Sequence, residues 1–220
     1  MSQRGKCFVF ARTPELGKVK TRLQPLLEDS GCLALHEELV ERSISTVVAS
    51  ELAPVEIWHT GNGDHSFWRQ QASLFPLTFS AQCAGGLGER MVDAFSKGFA
   101  DPQGAPDWII LMGSDCPELT TAYLCKAAEA LERGEQCVIG PAEDGGYVLI
   151  GLRAPVARLA PLFAGISWGG PQVLAQTLEA ARLHGCSVFL LDTLRDLDVE
   201  EDFFYFIDQL AFSYAGKIKK

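Results

Sequence analysis

Two short runs, CFVFA at 7–11 and WIILM at 108–112, are apolar at every position. A strand with one wet face alternates apolar and polar residues, whereas an unbroken run is covered on both faces, as in parallel sheets whose crossovers are helices. VEIWH (55–59), QCVIG (136–140) and SVFLL (187–191) have the same character. Between these runs the period changes to that of a helix. Val40, Ile44, Val47 and Val48 share one helical face, as do Leu87, Met91, Ala94, Phe95, Gly98 and Phe99 further on. Leu124, Ala128 and Leu131 make a third face, and Leu174, Leu178 and Ala181 a fourth, after Pro171 in a first helical turn. Glu200, Glu201 and Asp202 stand at the positive end of a last helix carrying Phe203, Ile207, Leu210 and Ala211. The alternation predicts an α/β fold: a mostly parallel, doubly wound sheet between helical layers, a three-layer α/β/α sandwich. No linker or repeat divides the 220 residues, so a single domain over 1–220 is expected.

With 47% apolar residues the chain can bury a core without staples. Its seven cysteines form no CxxC pair and no zinc-ribbon spacing, which suits a reducing compartment. Cys7, Cys137 and Cys186 open or join apolar runs and read as small core side chains. The stretch behind Lys6 is too short for a signal peptide, and no run of about 18 apolar residues occurs, so a cytoplasmic protein without a membrane span is expected. A net charge of −9 repels polyanions, which argues against nucleic acid as a partner. A local basic patch can still hold a small phosphate ligand. Oligomeric state is not encoded in these patterns.

Ligands of open α/β sheets bind outside the carboxyl ends of the strands. The residues that follow strands are therefore the candidates: RTPELGKVKTRL, GSDCPEL and DTLRDLDVEED. In GSDCP, Asp115 is either a turn or helix-capping residue or a ligand for Mg²⁺ or Mn²⁺, ions that take few protein carboxylates and complete their shell with phosphates. Asp196 and Asp198 are a second source of carboxylates, and capping accounts for Asp198 better than for Asp196. Lys18, Lys20 and Arg22, beside Pro14 and Gly17, form either a solvated face or the cationic half of the same oligophosphate site. In GPAEDGGYVLIGL, 140–152, Glu143 and Asp144 precede Gly145 and Gly146. One glycine suffices for a left-handed turn, and two suggest close approach by something else. The stretch 145–152 reads as a strand crossing the front of the site, with Glu143, Asp144, Gly145 and Gly146 on the acceptor side; Asp144 either touches substrate or only fixes the glycine turn. Cys116 has no activating histidine nearby in sequence, and the four histidines read as structural, His59 lying closest to the site at a strand end. Trp168 in ISWGGP anchors a loop or stacks on a base or sugar.

FARTPELGKVKTRL, AGGLGERM, GSDCPEL, GPAEDGGYVLIGL, ISWGGPQV and RDLDVEED, in this order, resemble the bacterial DUF2064 or CofC-like glycosyltransferase family of the nucleotide-diphospho-sugar transferase superfamily. The resemblance implies a GT-A-like fold. It assigns nucleotide contacts to Arg12, Lys18, Lys20 and Arg22 and to Gly88 and Arg90 of GLGERM. It makes Asp115 the metal-binding aspartate, with Asp198 or Asp196 as the second metal contact, and Trp168 part of the acceptor side. One departure is the proline-containing ARTPELGKVKTR, which stands where typical sugar nucleotidyltransferases carry a twin-glycine loop. The implied activity is metal-dependent glycosyl transfer from a nucleoside diphosphate sugar to a small-molecule acceptor, with Asp115 and Asp144 as catalytic carboxylates. KTRL also resembles the loop of phospholactate guanylyltransferases, which use a nucleoside triphosphate and release pyrophosphate. A nucleotide-binding module without catalysis is the third reading, in which the metal carboxylates do not converge.

Overall fold

A computed structural model describes residues 5–102, 104–154 and 159–210. Its strands are β1 (Gly5–Arg12), β2 (Val55–Thr60), β3 (Leu77–Ala81), β4 (Trp108–Gly113), β5 (Cys137–Pro141), β6 (Tyr147–Arg153) and β7 (Val188–Leu190). They form one seven-stranded sheet in the order β3-β2-β1-β4-β6-β5-β7. β6 runs antiparallel to both β4 and β5, and the other neighbours are parallel. The helices are α1 (Asp29–Ala49), α2 (Ser66–Leu74), α3 (Leu87–Phe99), α4 (Thr121–Glu132), α5 (Leu159–Phe163), α6 (Val173–Leu183) and α7 (Glu200–Phe206).

The unbroken apolar runs are the middle of the sheet because both faces are covered. On one face Cys7, Val9, Ile110 and Met112 meet Val40 and Ile44 of α1, Trp68 of α2 and Leu124 of α4. On the other, Phe8, Ile109 and Leu111 meet Met91 and Phe95 of α3, Phe163 of α5 and Ala181 of α6. A third, separate cluster joins Leu23, Leu27, Leu35 and Leu39 to Leu197, Phe203 and Phe206. It lies away from the sheet and binds two loops to each other.

Three elements were not legible in the residue pattern. β3 is a half-exposed edge strand of five residues, too short for its alternation to stand out; α2, of nine residues, and α5, of five, are also short. The run after Gly146 is a strand, but it does not cross the front of the site. It is inserted as β6 between β4 and β5, buried over Val148–Leu152. Pro171 precedes α6, whose N-cap is Gln172. The last helix gives way at Phe206 to a 3₁₀ turn, Ile207–Gln209, and Ala211 lies outside the described residues. Among the described residues no helix is long and apolar enough to cross a membrane.

Candidate active site

The order of strands reverses between β1 and β4, and the chain leaves both at their carboxyl ends beside each other. A crevice must open where neighbouring loops diverge in this way. It is a cleft of about 570 Å³, lined by Arg12, Lys18, Lys20, Arg22, His36, Thr60, Gln82, Leu87, Arg90, Ser114, Asp115, Asp144, Gly169 and Asp198 among others.

Beyond β1 the chain is pinned at Thr13, whose hydroxyl accepts from Trp68 Nε1 at 3.0 Å and donates to the Asn62 carbonyl at 3.2 Å. Gly17 takes a φ of 73°, which turns the loop back. Val19 and Leu23 are then buried, so the cations between and beside them are carried to the cleft. Lys18 Nζ lies 2.5 Å from Glu15 Oε2 at the surface. Lys20 sits in the left-handed region, φ 48° and ψ 38°, and its side chain is 4% exposed. Its Nζ lies 2.5 Å from Asp115 Oδ1 and donates to the Leu197 carbonyl at 2.6 Å. Arg22 pairs with Asp198.

The opposing wall is the loop after β7. Tyr123 Oη donates to the Asp192 carbonyl at 2.7 Å, and the Leu197 amide donates to the Asp115 carbonyl at 2.8 Å. Arg195 binds Asp202 through Nε at 2.8 Å and stacks on Tyr205 at 4.7 Å, while its amide donates to Glu118. Leu197 is fully buried in the third cluster, which holds the flanking Asp196 and Asp198 beside the loop that carries Arg22.

Burial by itself pushes the Asp115 carboxyl up, but the Lys20 ammonium, His36 and Arg12 outweigh it and hold the group below its ordinary range. Oδ1 is buried against Lys20 while the side chain as a whole is 48% exposed, so its other oxygen faces the cleft. Asp196 behaves oppositely. Burial, followed by the charges of Asp144, Asp115 and Asp198, pushes it up to about 6. Among the described residues no three carboxylate, histidine or cysteine side chains converge as a metal cage.

The acceptor-side candidates divide. Asp144 lines the cleft, and its Oδ1 accepts from the Gly146 amide at 2.8 Å, so it both fixes the glycine turn and faces the site. Gly145 has a φ of 88°, and a Cβ there would lie 2.1 Å from the Pro171 carbonyl oxygen; the close approach is by the 167–171 loop of this chain. Glu143 turns towards Arg195, 3.7 Å away. Trp168 covers Gly88, where a Cβ would lie 2.7 Å from Nε1, and packs edge-on against Tyr147. Within the same segment Glu89 Oε2 accepts from the Gly86 amide at 2.7 Å, while Arg90 Nε donates to the Gly85 carbonyl at 3.0 Å and reaches the cleft. Cys116 is buried with its thiol pushed up to about 12, chiefly by burial, so it presents no thiolate.

Sequence reading missed His36, Thr60 and Gln82. His36 is buried on α1, and Nε2 donates to the Arg12 carbonyl at 2.9 Å. Thr60 ends β2, a strand legible as VEIWH, so the rule that site residues follow strands applied to it directly, whereas Gln82 follows β3, which the residue pattern did not reveal.

A mostly parallel α/β/α sandwich with this cleft at its reversal point has the nucleotide-diphospho-sugar transferase fold, a fold of transferases. A crystal structure from Desulfovibrio desulfuricans G20, provisionally named a nucleotide-diphospho-sugar transferase, superposes with a TM-score of 0.82 at 31% identity, covering 99% of this chain and 92% of that one. The sequence matches the family described as "Uncharacterized protein conserved in bacteria (DUF2064)" over residues 43–170, and the chain belongs to that family. More distant structures share the fold alone. The 4-diphosphocytidyl-2C-methyl-D-erythritol synthase of Anaerococcus prevotii DSM 20548 has a TM-score of 0.59 at 8% identity, with 91% of this chain and 95% of that one covered. Rv0371C of Mycobacterium tuberculosis H37Rv, in complex with manganese, has a TM-score of 0.53 at 15% identity, with 94% and 100% covered. No curated protein matches the sequence significantly.

Proposed function

We propose that this chain is a divalent-metal-dependent transferase whose donor is a nucleoside diphosphate sugar. The observation that carries the reading is one cleft in which Arg12, Lys18, Lys20 and Arg22 face Asp115, Asp144 and Asp198. Its volume falls within the roughly 300–1,000 Å³ usual for small-molecule sites. The donor set fits Mg²⁺ or Mn²⁺: one Asp115 oxygen faces the cleft, and Asp196 senses an excess of negative charge that a cation would relieve. Such ions need only one or two protein carboxylates when phosphates complete the shell. Asp115, with Asp198 or Asp196, would hold the cation, which would serve as Lewis acid for the departing diphosphate.

Lys20, Arg22 and Lys18 bind phosphate oxygens, and Arg90 borders the nucleoside, while Gly88, covered by Trp168, does not line the cleft. Asp144 receives the proton of the acceptor hydroxyl as its oxygen bonds to the anomeric carbon and the bond from that carbon to the diphosphate breaks. Glu143, Gly145, Gly146 and Trp168 build the acceptor side, the last three by shaping the 144–146 turn and the loop against it. The free thiols suit a reducing compartment, the cytoplasm.

A thermal-shift panel of nucleoside diphosphate sugars and triphosphates, with and without Mg²⁺ or Mn²⁺, tests the reading, since a ligand of the native state raises the midpoint. Metal-dependent stabilisation is expected, and a panel without any shift would overturn the reading. Asp115→Asn is expected to remain folded, at a lower melting temperature because the buried Lys20 ammonium loses its carboxylate, and to lose at least about 100-fold in transfer; full activity in it would be equally fatal. A second reading is nucleotidyl transfer. It is favoured by five cations around one cleft, Arg12, Lys18, Lys20, Arg22 and Arg90, more than a diphosphate needs. Release of pyrophosphate from a triphosphate would select it.

A further inference from the structure

Two cations of the cleft are already engaged with its carboxylates. Lys20 Nζ lies 2.5 Å from Asp115 Oδ1 and 2.6 Å from the Leu197 carbonyl oxygen, and Arg22 pairs with Asp198. Both carboxylates facing the loop are thus held by the side chains best suited to phosphate. Lys20 is kept for this in a left-handed backbone conformation, which is unfavourable for a residue with a Cβ. Other contacts hold the loop on both sides. Leu23 follows Arg22 into the third apolar cluster, and Leu197 enters the same cluster between Asp196 and Asp198.

We propose that Lys20 and Arg22 form a latch on Asp115 and Asp198, so that the site admits a divalent cation and a polyphosphate together and resists either one alone. This rests on the reading of the chain as a metal-dependent transferase. A lone cation approaching Asp115 meets an ammonium 2.5 Å from the carboxylate oxygen, buried where charges repel strongly. A lone polyphosphate must draw Lys20 away and strand the buried Oδ1, an uncompensated charge. When both arrive, the exchange balances. Ammonium and guanidinium trade carboxylate for phosphate oxygens, the carboxylates trade them for the cation, and no covalent bond changes. Coupling of this kind is reciprocal, each ligand raising the affinity of the other by the same factor.

The test is Mn²⁺ binding by equilibrium dialysis, with no nucleotide, to wild type, Lys20→Met and Arg22→Gln. Arg22 is 65% exposed, so its variant does not depend on how the fold tolerates loss of a buried lysine. Lys20→Met is expected to bind Mn²⁺ about tenfold more tightly than wild type, Arg22→Gln to gain less. Both are expected to lose the Mn²⁺-dependent stabilisation by nucleotide. Unchanged or weaker Mn²⁺ binding in both variants would overturn the latch, even if wild type takes up nucleotide with metal. Tighter Mn²⁺ binding in the variants, beside a wild type that no nucleotide stabilises with metal, would overturn the coupled latch together with the transferase reading, the two cations then only shielding the carboxylates.

Discussion

Gly145 and Gly146 look alike in sequence and differ in what they do. At Gly145 the backbone is left-handed and an added Cβ would strike the Pro171 carbonyl at 2.1 Å, an atom that cannot rotate away. At Gly146 the φ is not positive, and a Cβ would meet only the Asp144 side chain, 3.0 Å off. Gly145→Ala is therefore expected to lose more than about 2 kcal/mol of stability and Gly146→Ala less than about 1 kcal/mol, measured by urea unfolding. Equal losses would mean that the 167–171 loop yields. The residue pattern signals an approach to the glycines, but the identity of the approaching group depends on a segment some 25 residues away and is invisible in GPAEDGG itself.

Among elements, α3 packs tightly on the sheet at Gly98. A Cβ on Gly98 would fall 2.5 Å from Ile109 Cδ1 and 2.6 Å from Phe8 Cζ. Alanine gains about 1 kcal/mol in helix propensity over glycine, whereas overpacking a filled core costs about 1–3 kcal/mol. Gly98→Ala is thus expected to be destabilising overall, with a lower urea midpoint; a higher midpoint would show that the helix can lift from the strands. Helix periodicity located α3 well because its apolar face is long. β3, α2 and α5 were missed because short, half-exposed elements owe their conformation to neighbours more than to their own pattern.

For the whole molecule, stability should depend on pH through His36. Burial lowers its pKa below 6.5, with Lys20 and Arg12 acting in the same direction and Asp115 and the Arg12 carbonyl opposing them. The unfolded chain therefore takes up a proton near pH 6.5 that the native state refuses. Stability is expected to fall as pH drops below about 6.5 and to level off once the native value is passed. His59, also lowered by burial, adds to the same slope. Urea midpoints across this range should show the decline in wild type and a shallower one in His36→Gln. Identical slopes would remove His36 from the account. The net charge of −9 bears on this scale as well: it repels polyanions at long range, so binding of a phosphate relies on the few cations inside the cleft.

By itself the sequence determined the layered α/β architecture and the strand ends that line the cleft, because buried strands and amphipathic helices leave periodic, local traces. Asp115, Asp198, Lys20 and Arg22 were legible as candidates for the same reason, since each follows a recognisable strand or loop. Only the tertiary structure decided their pairing. Lys20 meets Asp115 across 95 positions of chain, and Arg22 meets Asp198 across 176, because Leu23 and Leu197 are buried in one apolar cluster. Such a contact is set by which distant surfaces exclude water together, and no local pattern records it.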